Sequence, residues 1–204
     1  DGIGKDILDL DSKREKAHEH FGLSSKERTL LILGGSLGAR TINESVLADI
    51  DKLIDSQVQV IWQTGKFYFE SVKAQIQNKD LRRIRVHDFL KQMDLAYAAS
   101  DVVISRAGAL SISEICLAKK PCILVPSPNV AEDHQTKNAM TLVKEGAAQM
   151  IKDRDAKASL VSESLKLIYD QQLCNSLREN INSLGKPRAA EDIVDEIEKL
   201  IVKK

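Results

Sequence analysis

Six short runs rich in Ile, Val and Leu, each followed by a longer stretch with apolar residues three and four apart, constrain this chain more than anything else in it. The runs are Thr29–Leu33, Val58–Gln63, Arg83–His87, Asp101–Ser105, Pro121–Val125 and Ala148–Ile151. Several are almost continuously hydrophobic, as strands covered on both faces are. Between them, Ala39, Ile42, Val46, Ile50 and Leu53 form one helical stripe. Residues 66–77, 91–99, 108–118, 132–145, 155–169, 171–184 and 189–202 read as further helices. Alternating β and α units of this length call for parallel strands joined by right-handed crossovers. The expected fold is α/β, a Rossmann-like doubly wound parallel sheet.

Composition narrows the function classes. A chain of 204 residues fits one domain, at about 100–200 residues per domain. Its 30 Lys+Arg balance 30 Asp+Glu, and zero net charge argues against a dedicated nucleic-acid binder. The longest uncharged stretches, residues 29–39 and 121–131, carry Gly or Pro and are too short for a membrane-spanning helix. Thirteen charges in the first 28 residues leave no room for a secretory signal. Cys116, Cys122 and Cys174 show no C-x-x-C spacing, so neither a disulfide framework nor a zinc site is expected. A cytoplasmic location follows. No carboxylate–histidine cluster has metal-ligand spacing, so no metal and no cofactor are expected.

Three turns at predicted strand ends could carry chemistry. Gly34-Gly35-Ser36-Leu37-Gly38-Ala39 leaves the first strand and opens a helix. Its glycines allow close backbone approach, and the free N–H groups of the helix start suit an anion. Ser105-Arg106-Ala107-Gly108-Ala109-Leu110-Ser111-Ile112-Ser113-Glu114 leaves the fourth strand. Gly108 and Ala109 permit the same approach, while Ser111 and Glu114 share one helix face. A lone carboxylate near strand carboxyl ends suits the adjacent hydroxyls of a ribose. Pro126-Ser127-Pro128-Asn129-Val130-Ala131-Glu132-Asp133-His134-Gln135-Thr136-Lys137-Asn138-Ala139 leaves the fifth strand. Asp133, His134, Gln135 and Asn138 offer donors and acceptors for sugar hydroxyls. Each turn alone also fits a plain structural role: a positive-φ turn, a helix cap, an Arg106–Glu114 ion pair or a solvated helix start. All three together point to one shared nucleotide site. Of the remaining features, Lys79, Arg82, Arg83 and Arg85 read as a solvated edge. His18 and His20 read as exposed on a first helix, and Trp62 as core.

At G-G-S-L-G-A-R-T-I-N, S-R-A-G-A-L-S-I-S-E and D-H-Q-T-K-N-A the chain resembles the C-terminal half of the MurG family, from about Lys5 onward. These are bacterial two-domain GT-B glycosyltransferases that complete lipid II. The resemblance implies that the Gly34–Ala39 turn, with Gly35, Ser36 and Gly38, faces the diphosphate of UDP-N-acetylglucosamine (UDP-GlcNAc). Leu90, beside Phe89, would offer backbone to the uracil. Arg106 and Gly108 belong to the donor-binding segment, and Ala109, Leu110 and Ser111 would present N–H groups and a hydroxyl to the phosphates. Glu114 would hold the ribose, and Gln135 the GlcNAc hydroxyls, with His134 standing where relatives often carry Gln.

Two departures accompany the resemblance. Asp1-Gly2-Ile3-Gly4 occupies the place of an Asn-Pro-Val-Arg run whose arginine reaches the donor. The family's N-terminal acceptor domain, with its base, has no counterpart. The chain therefore reads as residues 1–28, a linker and first helix; residues 29–188, a UDP-GlcNAc-binding domain; and residues 189–204, a terminal helix turned toward the acceptor domain. The expected parent enzyme moves GlcNAc onto undecaprenyl-pyrophosphoryl-MurNAc-pentapeptide (lipid I), working peripherally at the inner face of the cell membrane. Alternatives are the donor domain of another UDP-sugar transferase, such as one extending dolichol-linked GlcNAc, and a non-catalytic nucleotide-binding module.

Overall fold

The computed structural model describes residue 7 and residues 9–34, 40–129 and 134–184. Six strands, β1 (Thr29–Leu33), β2 (Gln59–Gln63), β3 (Ile84–His87), β4 (Val102–Ser105), β5 (Cys122–Leu124) and β6 (Gln149–Met150), form one sheet. Their order is β3-β2-β1-β4-β5-β6 and every neighbouring pair is parallel. This is the doubly wound order, with its switch point between β1 and β4.

The helices are α1 (Arg14–Phe21), α2 (Arg40–Ala48), α3 (Ile50–Ser56), α4 (Lys66–Ile76) and α5 (Met93–Ala99). They continue with α6 (Ala109–Ala118), α7 (His134–Lys144), α8 (Asp153–Ile168) and α9 (Gln171–Leu184). Strand side chains alternate between two cores. Leu30 and Ile32 of β1 face α2, α3, α4 and α8, in a cluster with Trp62, Leu53, Ile76 and Leu160. Leu31 and Leu33 face α1, α5, α6 and α7, in a cluster with Tyr97, Ile112 and Leu142. Trp62 is fully buried, and its indole N–H donates to Asn43 Oδ1 at 2.9 Å. The amide of Asn43 in turn donates to the Thr64 carbonyl at 2.9 Å, so α2 is pinned to the end of β2 with no polar atom of that pair stranded.

Four expectations need correction. Over its described residues, from Ile42 to Leu53, the expected stripe is two helices, broken at Asp49 (φ −117°, ψ 25°). Ile42, Val46, Ile50 and Leu53 enter the same cluster on both sides of the break, so the apolar spacing runs through it. His18 is buried, not exposed, because it shares the inward face of α1 with Ala17 and Phe21; its Nδ1 lies 2.7 Å from the Arg14 carbonyl. The described residues up to 28 do not stand apart: Ile7, Leu10, Ala17 and Phe21 join the core under β1 and β4. Among the edge cations, Arg82 pairs with Asp80 and Lys79 with Asp51, whereas Arg85 is structural. Its guanidinium donates to the Phe21 and Gly22 carbonyls at 2.8 and 2.9 Å, closing the end of α1 where Gly22 turns left-handed (φ 64°). The helix expected at 189–202 lies outside the described residues.

Candidate functional site

A parallel sheet delivers every strand's carboxyl end, and the loop that follows, to one edge. Ligands of such sheets sit there, at the switch point. Here that edge gathers Gly34 after β1, Phe89 and Leu90 after β3, Arg106 to Ser111 after β4, and Ser127, Pro128, Asn129, His134 and Gln135 after β5. Gly35, Ser36 and Gly38, expected to face a diphosphate, lie outside the described residues, as do residues 130–133 and with them Asp133.

The start of α6 is the most informative element. Gly108 is its N-cap, with extended backbone (φ −69°, ψ 155°) and no side chain to cap it. Its carbonyl accepts the Ile112 N–H at 3.0 Å, the first bond of the helix. The N–H groups of Ala109, Leu110 and Ser111 therefore have no partner within the helix. They form the positive end of the helix dipole, and Leu110 there is 82% exposed. One turn further, Glu114 accepts a hydrogen bond from the Tyr97 hydroxyl at 3.0 Å. Burial pushes its carboxyl above the ordinary range, and the Tyr97 bond offsets part of that rise. The Tyr97 phenol is itself pushed well above its usual value, by burial first and then by Glu114.

The next loop is stitched onto this one. Gln135 Oε1 accepts the N–H of Ala107 at 3.2 Å and of Ser127 at 2.9 Å, while Asn138 Nδ2 donates to the Ala107 carbonyl at 3.0 Å. The oxygen of Gln135 is thus committed to the scaffold. Its amide nitrogen lies 3.9 Å from where Gly108 would carry a Cβ, and is the end available to a ligand. His134 is half-buried at the first position of α7.

Arg106 is buried at the end of β4. Its buried guanidinium pairs with Asp153 at the start of α8 and donates to the Val125 carbonyl at 3.2 Å. At the β3 end, Leu90 gives its N–H to Gln63 Oε1 at 2.8 Å, so what it can present to a base is its carbonyl. Phe89 is 55% exposed with the Lys66 ammonium 5.9 Å from its ring centre. Sequence reasoning missed Gln63, Tyr97 and Asp153. The polar Gln63 ending an apolar strand was a usable signal; Asp153 reads from sequence as an ordinary acid in the first turn of a helix.

A hollow of about 490 Å³ lies elsewhere, at the amino ends of the strands, lined by Leu10, Leu117, Lys120 and Arg178 among others. It takes in none of the residues singled out from sequence. The carboxyl-end edge of the sheet, where the described candidates gather, is the candidate site.

Residues 29–196 match the model of the glycosyltransferase family 28 C-terminal domain. The chain belongs to that family. This family 28 domain is 50% identical over 202 residues to the UDP-N-acetylglucosamine–N-acetylmuramyl-(pentapeptide) pyrophosphoryl-undecaprenol N-acetylglucosamine transferase of Parabacteroides distasonis, covering 99% of this chain and 55% of the relative. The corresponding transferase of Cytophaga hutchinsonii is 48% identical over 199 residues, 98% of this chain and 53% of its own length. Among solved structures, the MurG of Acinetobacter baumannii superposes with a TM-score of 0.70 at 28% identity, over 95% of this chain and 55% of that one. The family 28 chain therefore spans about half the length of the curated relatives it matches. No helix among the described residues is long and apolar enough to cross a membrane.

Proposed function

We propose that this chain is the UDP-GlcNAc-binding wall of a two-domain glycosyltransferase that moves GlcNAc, with inversion, onto lipid I. The observation that carries the reading is the uncapped start of α6 at the switch point, with the Glu114 carboxylate one turn further in, in a family 28 domain. The positive helix end at Ala109–Ser111, and the one that the sequence predicts at Ser36–Ala39, would hold the diphosphate and stabilise it as it leaves. Each contributes about 0.3–2 kcal/mol per charge. Glu114 accepts from the ribose hydroxyls, the Leu90 carbonyl faces the uracil beside Phe89, and the Gln135 amide with His134 meets the sugar. Arg106 and Gly108 shape the loop between. The acceptor lipid and the base that activates its hydroxyl belong to the other half of the enzyme, working peripherally at the inner face of the membrane. Relatives named for this reaction, matching nearly all of this chain, support the assignment.

Calorimetric titration tests it. The chain binds UDP and UDP-GlcNAc, prefers UDP-GlcNAc to UDP-glucose and NAD, and binds equally well in EDTA, since helix ends supply the positive potential. Preference for UDP-glucose redirects the reading to another sugar donor. Absence of binding at millimolar UDP-GlcNAc, or a strict need for Mg²⁺ or Mn²⁺, overturns it.

A further inference from the structure

We infer that the Gln63 carboxamide reads the base of the donor and selects uracil over cytosine, an inference that rests on the donor-site reading above. Gln63 is the last residue of β2, a polar end to the apolar run Val60-Ile61-Trp62. Its main chain is fixed from both sides. The Gln63 carbonyl accepts the Gly34 N–H at 3.0 Å, and the next residue, Thr64, donates its N–H to the His87 carbonyl at 2.9 Å. The side chain crosses to the loop after β3, where Oε1 accepts the Leu90 N–H at 2.8 Å. Only the oxygen of a carboxamide can meet an N–H, so this bond decides which end of the amide is which. The nitrogen is the free end. Among the described residues Nε2 has no hydrogen-bond partner, and it is not sealed from solvent.

Leu90, its N–H already engaged, is left with its carbonyl. A donor, Gln63 Nε2, and an acceptor, the Leu90 carbonyl, thus lie within a few bonds of the same hydrogen bond. Leu90 is buried, so packing holds that backbone in place. Uracil carries an acceptor, O4, beside a donor, N3–H, and matches the pair at both atoms. Cytosine carries an amino group at position 4 and a bare N3, and is reversed at both. Polar groups held in place reject a base that leaves them unpaired or sets donor against donor. The position in the sheet suits the same edge of the base. Glu114, proposed to hold the ribose, lies on the helix that follows β4. In the order β3-β2-β1-β4, β2 ends two strand spacings from β4, about 10 Å. The O4 and N3 edge is the part of the base turned away from the ribose. Bracing the Leu90 loop would need only the oxygen of Gln63; reading the base needs its nitrogen.

Gln63→Glu separates the two roles. It keeps the length of the side chain and an acceptor for the Leu90 N–H, and turns the free donor into a second acceptor. UDP and CDP carry the same charge, so repulsion between the new carboxylate and the diphosphate cancels in the ratio of their affinities. By calorimetry the unaltered full chain prefers UDP to CDP by more than about tenfold, and in Gln63→Glu that ratio falls by about tenfold. The unaltered chain also binds 4-thio-UDP, whose sulfur is a poor acceptor, about threefold more weakly than UDP. The CDP and 4-thio-UDP comparisons on the unaltered chain need no variant and decide the matter if Gln63→Glu does not fold. An unchanged ratio of UDP to CDP affinity in folded Gln63→Glu makes Gln63 a brace of the Leu90 loop and overturns the inference. Equal affinity of the unaltered chain for UDP and CDP, or for UDP and 4-thio-UDP, overturns it too and leaves the donor-site reading standing. If the unaltered chain binds neither UDP nor CDP, the donor-site reading itself falls and takes this one with it.

Discussion

Glu114 sits in surroundings that disfavour its charge. Its folded pKa is raised above the unfolded value, by burial more than the Tyr97 hydrogen bond restores. The folded state thus holds the proton more tightly than the unfolded state. The ionised carboxylate costs stability at neutral pH, and that cost is relieved as the pH falls through the raised folded pKa. Glu114→Gln keeps the shape and an acceptor for Tyr97. It should melt at or above the temperature of the unaltered chain at pH 7, with the difference vanishing below the unfolded carboxylate range. Binding moves the other way: Glu114→Ala loses about 1.5–3 kcal/mol of UDP affinity, the scale of a charged hydrogen bond. UDP affinity of the unaltered chain should fall at a higher pH than an ordinary carboxylate would set. Calorimetry and melting curves across pH check both signs; unchanged affinity in Glu114→Ala would return this residue to a structural role.

At the scale of elements, the uncapped start of α6 invites a sharper experiment. The N-cap backbone at Gly108 is one any residue adopts, and among the described residues an added Cβ meets only Gln135 Nε2 at 3.9 Å. Aspartate there caps the helix itself, and relative to Gly changes stability by only a few tenths of a kcal/mol. Its carboxylate would also take the place of the diphosphate in the proposed site. Gly108→Asp should melt like the unaltered chain and lose more than about tenfold in UDP affinity, since the anion position is filled by like charge. Retained affinity would mean that the ligand does not use this helix end. The strands were legible from their Ile and Val runs because both faces of a parallel sheet are covered, which leaves no ambiguity of pattern. The break at Asp49 was not, because Ile50 and Leu53 continue the stripe of Ile42 and Val46. The three strand-end turns were legible as candidates. Their stitching through Gln135 and Arg106 was not, because Arg106 meets its partner 47 residues further along the chain and nothing local announces it.

For the molecule as a whole, a parallel sheet offers one functional edge, and that edge forms one wall of a crevice. Group transfer needs donor and acceptor within about 3–3.5 Å and a base beside the attacking hydroxyl. This chain alone should therefore bind donor without transferring GlcNAc to lipid I, and a separately expressed acceptor half should restore turnover. Turnover by this chain alone, abolished by His134→Ala, would contradict the division of labour. The match to the family begins at residue 29, yet the core begins earlier, with Ile7, Leu10, Ala17 and Phe21 packed against Leu31 and Tyr97. The curated relatives match 99% and 98% of the chain, so the upstream helix is shared with them as well as packed into the core. A single Phe→Ala truncation in a core costs about 3–5 kcal/mol. Whole domains are held by only about 5–15 kcal/mol. A piece trimmed to residues 29–204 should accordingly precipitate or melt without cooperativity, while the chain that keeps α1 does not. Anyone grafting this domain onto a different acceptor half needs to carry the upstream helix with it, or inherit an open apolar flank beneath β1.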